Sequence, residues 1–165
     1  MEAFDRELTA LLPRLRRFAG ALARSAADAD DLVQGTVERA LRSRDQWQAG
    51  TRFDAWLFRI MRNLWIDTVR ARGRLARHHA PEEAGFAVGV YPLAELEARS
   101  ELATLVRALN RLPDEQREVI ALVTIEGLGY AEAAAVLDLP IGTVSSRMLR
   151  GRQALLALLG TDHDD

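Results

Sequence analysis

The chain has 165 residues, enough for one medium domain or two small ones, with 48% hydrophobic residues and a formal net charge of −2. It contains no cysteine, which excludes disulfides and thiolate metal sites. The start, MEAFDRELTALLPRLRR, lacks the uninterrupted apolar core of a signal peptide, and no stretch approaches membrane-spanning length. A cytoplasmic location without membrane insertion is therefore expected. The slightly negative balance argues against a protein that coats DNA indiscriminately, but the distribution is uneven. Every basic residue is arginine, whose planar fork suits phosphate and guanine better than an ammonium does. Arginines concentrate between Arg52 and Arg77 and at Arg147, Arg150 and Arg152. Acids collect at Asp28, Asp30 and Asp31, at Glu82 and Glu83, from Glu95 to Glu101, and in the tail Asp162-His163-Asp164-Asp165. Basic patches on an acidic background fit DNA binding assisted by a larger partner.

Residues 1–72 read as three helices. The first carries Leu8, Leu11, Leu12, Leu15, Phe18 and Leu22 at helical spacing, with Pro13 expected to kink or restart it. The second is predicted from Asp28 to about Arg44, with Leu32, Val33, Thr36, Val37, Ala40 and Leu41 inward; acids at its start favour the positive end of the dipole. After the loop DQWQAGTR, a third helix is predicted from Phe53 to about Arg72, with Phe53, Leu57, Ile60 and Leu64 on its core face. Asn63, Asp67 and Arg70 fall at i, i+4 and i+7 and share a face flanked by Arg59 and Arg62. Nearby Trp56 and Trp65 read as core.

Residues 73–94, GRLARHHAPEEAGFAVGVYPLA, lose the periodicity and are punctuated by glycine and proline. A flexible linker is expected there. Helical pattern returns at about Glu95 and runs to Leu112, and Pro113 opens another helix to about Glu126. No segment alternates like a strand, and there is no internal repeat. The predicted fold is all-α, with two small helical domains (1–72 and 95–160) and an acidic tail at 161–165.

Residues 128–159, LGYAEAAAVLDLPIGTVSSRMLRGRQALLALL, read as a helix-turn-helix. A short apolar helix from Tyr130 to about Leu137 is broken by Asp138-Leu139-Pro140-Ile141-Gly142, where Gly142 can take a positive φ. Thr143 stands where an N-cap belongs. Thr143, Ser146, Arg147 and Arg150 then form a polar stripe, with Val144, Met148 and Leu155 on the other side. Such a helix suits the major groove, where its first amides favour phosphate and arginine can bond guanine edges. An ordinary helical hairpin with a solvated arginine face has the same local pattern.

Enzyme chemistry finds little support. His78 and His79 sit together in a glycine-flanked stretch without a carboxylate scaffold and read as solvated loop rather than metal ligands. There is no phosphate loop and no nucleophile motif. No cofactor is expected.

Three helix signals in order, DADDLVQGTVERALR at 28–42, FDAWLFRIMRNLWIDTVRARGR at 53–74 and LPDEQREVIALVTIEGLGYAEAAAVLDLPIGTVSSRMLRGRQALLALL at 112–159, resemble bacterial RNA polymerase sigma factors of the extracytoplasmic-function group. LPRLRRFAGAL followed by ADDLVQ is similar to the general-stress-response branch of alphaproteobacteria. The resemblance implies a first domain that docks on the clamp of core RNA polymerase and holds the −10 element, a second that reads the −35 element of promoter DNA, and an anti-sigma factor as regulator. It makes Asp31, Gln34 and Glu38 the polymerase contacts and Arg59, Arg62, Asn63, Asp67 and Arg70 the −10 surface. The loop Asp45 to Arg52, with Trp47, is expected to wall a pocket for an unstacked base. Thr143, Ser145, Ser146, Arg147, Arg150 and Arg152 become the −35 contacts, with Arg147 the expected base reader and Arg152 a phosphate contact. The chain departs from the family at Gly35, where an acid is usual, at Gly129, where a serine cap is common, and at Ser145, where a basic residue is frequent. Two other readings remain: a sigma-like mimic that binds a sigma regulator, and a stand-alone helix-turn-helix repressor. Retained basic faces disfavour the mimic, and strong unaided duplex binding would mark the repressor.

Overall fold

The computed structural model describes residues 2–78 and 100–161, all of whose regular elements are helical. α1 (Ala3–Leu22) runs through Pro13 as one helix instead of restarting there. The proline removes the amide that would bond the Thr9 carbonyl, but both residues are exposed, so water can take its place. α2 (Ala26–Arg42) begins where Ser25 Oγ accepts from the Asp28 amide at 3.0 Å, two residues earlier than the acids alone suggested. Its fully buried Thr36 donates to the Leu32 carbonyl at 2.7 Å and so carries no unmet polar group into the core. A single 3₁₀ turn, Arg44–Gln46, leads toward α3 (Phe53–His78).

α3 continues six residues past its expected end, through Gly73. The difference has a simple cause: a glycine costs a helix about 1 kcal/mol but does not stop it when no capping conformation follows, and Gly73 has no positive φ. The expected linker at 73–94 is therefore helical over 73–78. Its remainder, the start of the helix expected at Glu95, and the acidic tail 162–165 lie outside the described residues.

The second domain starts with α4 (Glu101–Asn110), whose Ser100 cap accepts from the Ala103 amide at 3.1 Å. α5 (Asp114–Ile120) widens into a π turn at Ala121–Ile125, closed by the Glu126 amide on the Ala121 carbonyl at 2.9 Å. Gly127 at φ 74° reverses the chain toward α6 (Tyr130–Leu137). Gly129 has no hydroxyl to cap α6, so only the reciprocal half of a capping box is present: Glu132 Oε1 accepts from the Gly129 amide at 2.9 Å. α7 (Ile141–Thr161) completes the helix-turn-helix. It crosses α5 closely at Gly151, where an added Cβ would lie 2.7 Å from Ile120 Cδ1.

Apolar burial joins the two halves. Leu15, Phe18, Leu57, Phe58 and Met61 of the first domain and Val119, Leu122, Leu137, Val144 and Met148 of the second are fully buried in one continuous core. α1 packs on α5, and α3 packs on α6. The two helical domains, whose relative placement the sequence left open, are thus in direct contact.

Gly35 has room for more. A Cβ there would meet Leu64 Cδ1 at 3.5 Å, an ordinary contact, so packing does not require glycine. Gly35→Ala should raise unfolding free energy by about 0.5–1 kcal/mol, through helix propensity and the smaller entropy of the unfolded chain, as read by urea titration. A second expectation concerns pH. The Asp28 carboxyl is held below its ordinary 3.8, chiefly by the hydrogen bonds from Arg72. A depressed folded-state value means stability present above 3.8 and lost as pH falls through the folded value. Asp28→Asn should cost no more than about 1 kcal/mol at neutral pH. The gap between variant and parent in thermal melts should close as pH falls below 3.8.

Candidate nucleic-acid interface

The turn of the helix-turn-helix is made differently from the sequence expectation. The left-handed residue is Asp138 at φ 54° and ψ 51°, not Gly142, and the Leu139 amide reaches back to the Ala134 carbonyl at 3.0 Å. A short polar side chain tolerates this conformation better than a branched one. Pro140 then precedes the first residue of α7, and its carbonyl accepts from the Thr143 and Val144 amides. Thr143 consequently lies inside the first turn rather than at the N-cap. That turn carries no acid, so nothing of its own neutralises the free amides.

Along α7 Val144 and Met148 are buried, as the periodicity required, and Leu155 is half-buried against the core; Gly151, which the pattern did not single out, is buried with them. The exposed side is Ser146, Leu149, Arg150 and Gln153, with Arg152 beside it. Leu149 is 60% exposed, an apolar residue at the centre of a polar face. Sequence reasoning passed over Leu149 and Gln153. The signal was their i+3 and i+7 spacing from Ser146, masked because leucine is normally assigned to a core. Thr143 and Ser145 are half-buried at the edges, and Ser146 Oγ donates to the Gly142 carbonyl at 2.9 Å. Arg147 does not point outward with Arg150. It is half-buried and pairs with Glu115 of α5 at 3.5 Å.

The arginine-rich helix α3 divides its residues between two surfaces. Arg59, Asn63 and Asp67, at i, i+4 and i+8, line an open groove of about 340 Å³ together with Arg39, Ser43 and Gln46. Trp56 forms part of its wall. Trp47, expected in that role, instead packs among Phe4 and Phe53, with ring centroids 6.1 Å and 4.8 Å away. The loop contributes to the groove only through Gln46. Trp65 is core, as expected, whereas Trp56 is half-buried.

Arg62 lies on another side of α3, in a cleft facing the second domain, with Arg24, Arg147 and the acids Asp114, Glu115 and Glu118, and exposed Arg70 stands at the edge of that cleft. Arg62 donates to both Glu118 oxygens at 3.3 Å and to the Leu137 carbonyl at 3.3 Å. Burial raises the Glu118 carboxyl above its usual range even though Arg62 and Arg147 stand close by. Of the five residues expected to form one surface, Arg59, Asn63 and Asp67 line the groove, Arg62 is turned to the cleft, and Arg70, about three full turns beyond Arg59, keeps the direction of Arg59 and borders the cleft only at its edge.

On α2, Asp31, Gln34 and Glu38 are all exposed at i, i+3 and i+7 and so share an outward face, while Leu32, Thr36 and Ala40 face the core. No group of three or more metal-ligating side chains converges among the described residues, and no described helix is long and apolar enough to cross a membrane.

The Sigma-70 region 2 family matches residues 8–75, and the family Sigma-70, region 4 matches residues 102–155. The chain is 38% identical over 156 residues to the ECF RNA polymerase sigma factor EcfG of Rhodopseudomonas palustris, spanning 94% of this chain and 84% of that one. It is 41% identical over 157 residues to the ECF RNA polymerase sigma factor SigE of Mycolicibacterium smegmatis, spanning 94% of this chain and 61% of that one. In three dimensions it is similar to the sigma factor RpoE in its complex with the anti-sigma factor NepR from Bartonella quintana, with TM-score 0.85 and 36% identity, covering 98% of this chain and 99% of that one. The chain belongs to the ECF RNA polymerase sigma factors, which direct polymerase to specific promoters.

Proposed function

We propose a division of this work among three surfaces. The exposed α2 face of Asp31, Gln34 and Glu38 docks on the polymerase clamp. The groove of Arg59, Asn63 and Asp67 receives an unstacked base of the −10 element. The exposed face of α7 reads the −35 element. The observation that carries this reading is the groove on α3. It is basic, open, walled on one side by Trp56, and offers an amide and a carboxylate to base edges. Arg62 reaches the same DNA only once it leaves Glu118 and the cleft opens, whereas Arg70 is already exposed. The protein supplies no bond chemistry of its own; polymerase does. It works in the cytoplasm, where polymerase and promoter are.

An anti-sigma factor is the regulator we propose, supported by the similarity to a sigma factor found with such a partner. The mimic and the stand-alone repressor are less well supported. A mimic has no need of a groove shaped for a base, and a repressor has no need of the α2 face.

Asn63→Ala should leave polymerase binding intact and lower promoter opening. Binding of the variant to core polymerase, set beside permanganate reactivity at the −10 element, checks this; either lost core binding or unchanged opening would reassign the groove.

On α7, Arg150→Ala should cost about 1–3 kcal/mol of discrimination at one or two −35 positions, the range for a bidentate base contact. Arg152→Ala should weaken all sequences alike and lower the salt slope by about one unit. Arg147 reads a base only after leaving Glu115. A −35 library assayed at two salt concentrations separates these effects, and equal, sequence-blind losses for Arg150 and Arg152 would mean the face positions DNA without reading it.

A further inference from the structure

Leu149 is set apart by its neighbours on α7. The helix turns once in about 3.6 residues, so the direction opposite buried Val144, Met148 and Gly151 falls among Ser146, Leu149 and Gln153. These three are exposed, as are Arg150 and Arg152 beside them, and Leu149 alone of the five is apolar. No acid occurs anywhere in α7, so the surroundings of this leucine are neutral or cationic. A single exposed leucine on a mixed surface needs no explanation. One at the centre of an acid-free, arginine-bearing face fits a polyanion that also presents an apolar group.

Duplex DNA has one such group in its major groove. Every base pair shows donors and acceptors there, and thymine adds its C5-methyl. A leucine pressed on the amino group of cytosine or on the purine acceptors would strip water from them and return no hydrogen bond. Pressed on a thymine methyl, it buries hydrocarbon on both sides. Ser146 already commits its hydroxyl proton to the Gly142 carbonyl, which leaves Arg150 and Gln153 as the donors that flank Leu149.

We propose that Leu149 is a specificity determinant of this protein, packing on the C5-methyl of a thymine in the −35 element. At that position the face selects thymine by its methyl group, a distinction that no hydrogen-bonding side chain on the helix makes. The inference rests on the −35 reading of α7 given above and adds to it the residue and the chemical group read.

Removing the methyl from the DNA and the leucine from the protein tests this. The full chain with core polymerase is assayed on the promoter that a −35 library selects, with each −35 thymine of either strand replaced in turn by deoxyuridine, which lacks only the methyl. For the parent, one replacement should lower promoter affinity about fourfold, as expected for one buried methyl group. Leu149→Ala should bind the thymine promoter more weakly and be indifferent to that replacement. Leu156→Ala is the control: Leu156 is 69% exposed, on nearly the same line of α7 and about 10 Å further along it, and its loss should leave the methyl effect unchanged. Leu149 is exposed, so its variant should melt at the parent temperature, and lost binding is not lost folding. A parent indifferent to every deoxyuridine overturns the proposal, as does a selected element with no thymine on either strand. So does a Leu149→Ala protein that keeps the full methyl effect. If that variant instead loses affinity for core polymerase, Leu149 faces a protein partner and the proposal is equally overturned. A parent whose transcription ignores the −35 sequence altogether would overturn the −35 reading itself.

Discussion

Each domain uses an arginine to finish a helix of the other. Arg117 of α5 has no exposed surface. It donates through Nε to the Ala21 carbonyl at the end of α1, at 2.7 Å, and through Nη1 to the Leu112 carbonyl at 2.6 Å, with Asp114 taking the remaining nitrogen. Arg62 of α3 in turn donates to the Leu137 carbonyl in the last turn of α6. The final carbonyls of a helix have no partner within it and carry the negative end of its dipole, so a guanidinium there is doubly favoured. A buried charge is tolerated only when its donors are met. Arg117 meets that condition with one acceptor that only the first domain can provide. This fixes α5 against the end of α1, and the interface grows out from that point.

The apolar part of the interface has no sign and little direction. Alone it would allow the domains to slide or rotate over one another. The charges supply the register. The wide π turn at Ala121–Ile125 displaces the chain before Glu126, which enters the surface of α1 between Arg14 and Arg17. The hydrogen bond from Gly129 and the reach of Arg52 both hold the Glu132 carboxyl below its usual range. The same acid thus starts α6 and ties it to the first domain. Asp54 plays the matching part at the start of α3. Its own burial opposes ionisation, but Arg52, the Ala55 amide and Arg14 together hold it ionised.

The functional surfaces follow from how α3 is shared. One side packs into the core, one forms the open groove of Arg59, Asn63 and Asp67, and one faces the second domain through Arg62. A single arginine-rich helix therefore serves both DNA contact and interdomain contact. Any movement of the second domain changes the charge offered to DNA without altering the groove itself. α7 has the same double character, with Arg150 turned outward and Arg147 turned to α5.

Much of this was determined by the sequence alone. The helices, the helix-turn-helix and most inward residues of α2 and α7 follow from the spacing of apolar side chains, because a helix buries one stripe whatever it packs against; Leu41, expected inward at the end of α2, is instead exposed. The order of three motifs pointed to the family. Local chemistry misplaced several details: Asp138 rather than Gly142 took the left-handed position, Thr143 lay inside α7 rather than at its cap, α1 ran through Pro13, and α3 ran on through Gly73. What the tertiary structure decided was the use of the polar residues. Arg59, Arg62, Asn63, Asp67 and Arg70 look alike along the chain; helical spacing sets their directions, but only the position of the second domain encloses Arg62 and leaves the groove open. Arg147 and Arg150 differ by three residues, yet Glu115 claims the first and leaves the second free. Arg117, which nothing in the sequence pattern singles out, is fully buried. Periodicity records which side of a helix is apolar. It carries no information about which distant carboxylate or carbonyl will meet a given guanidinium, and in this protein those meetings set the relation between the domains.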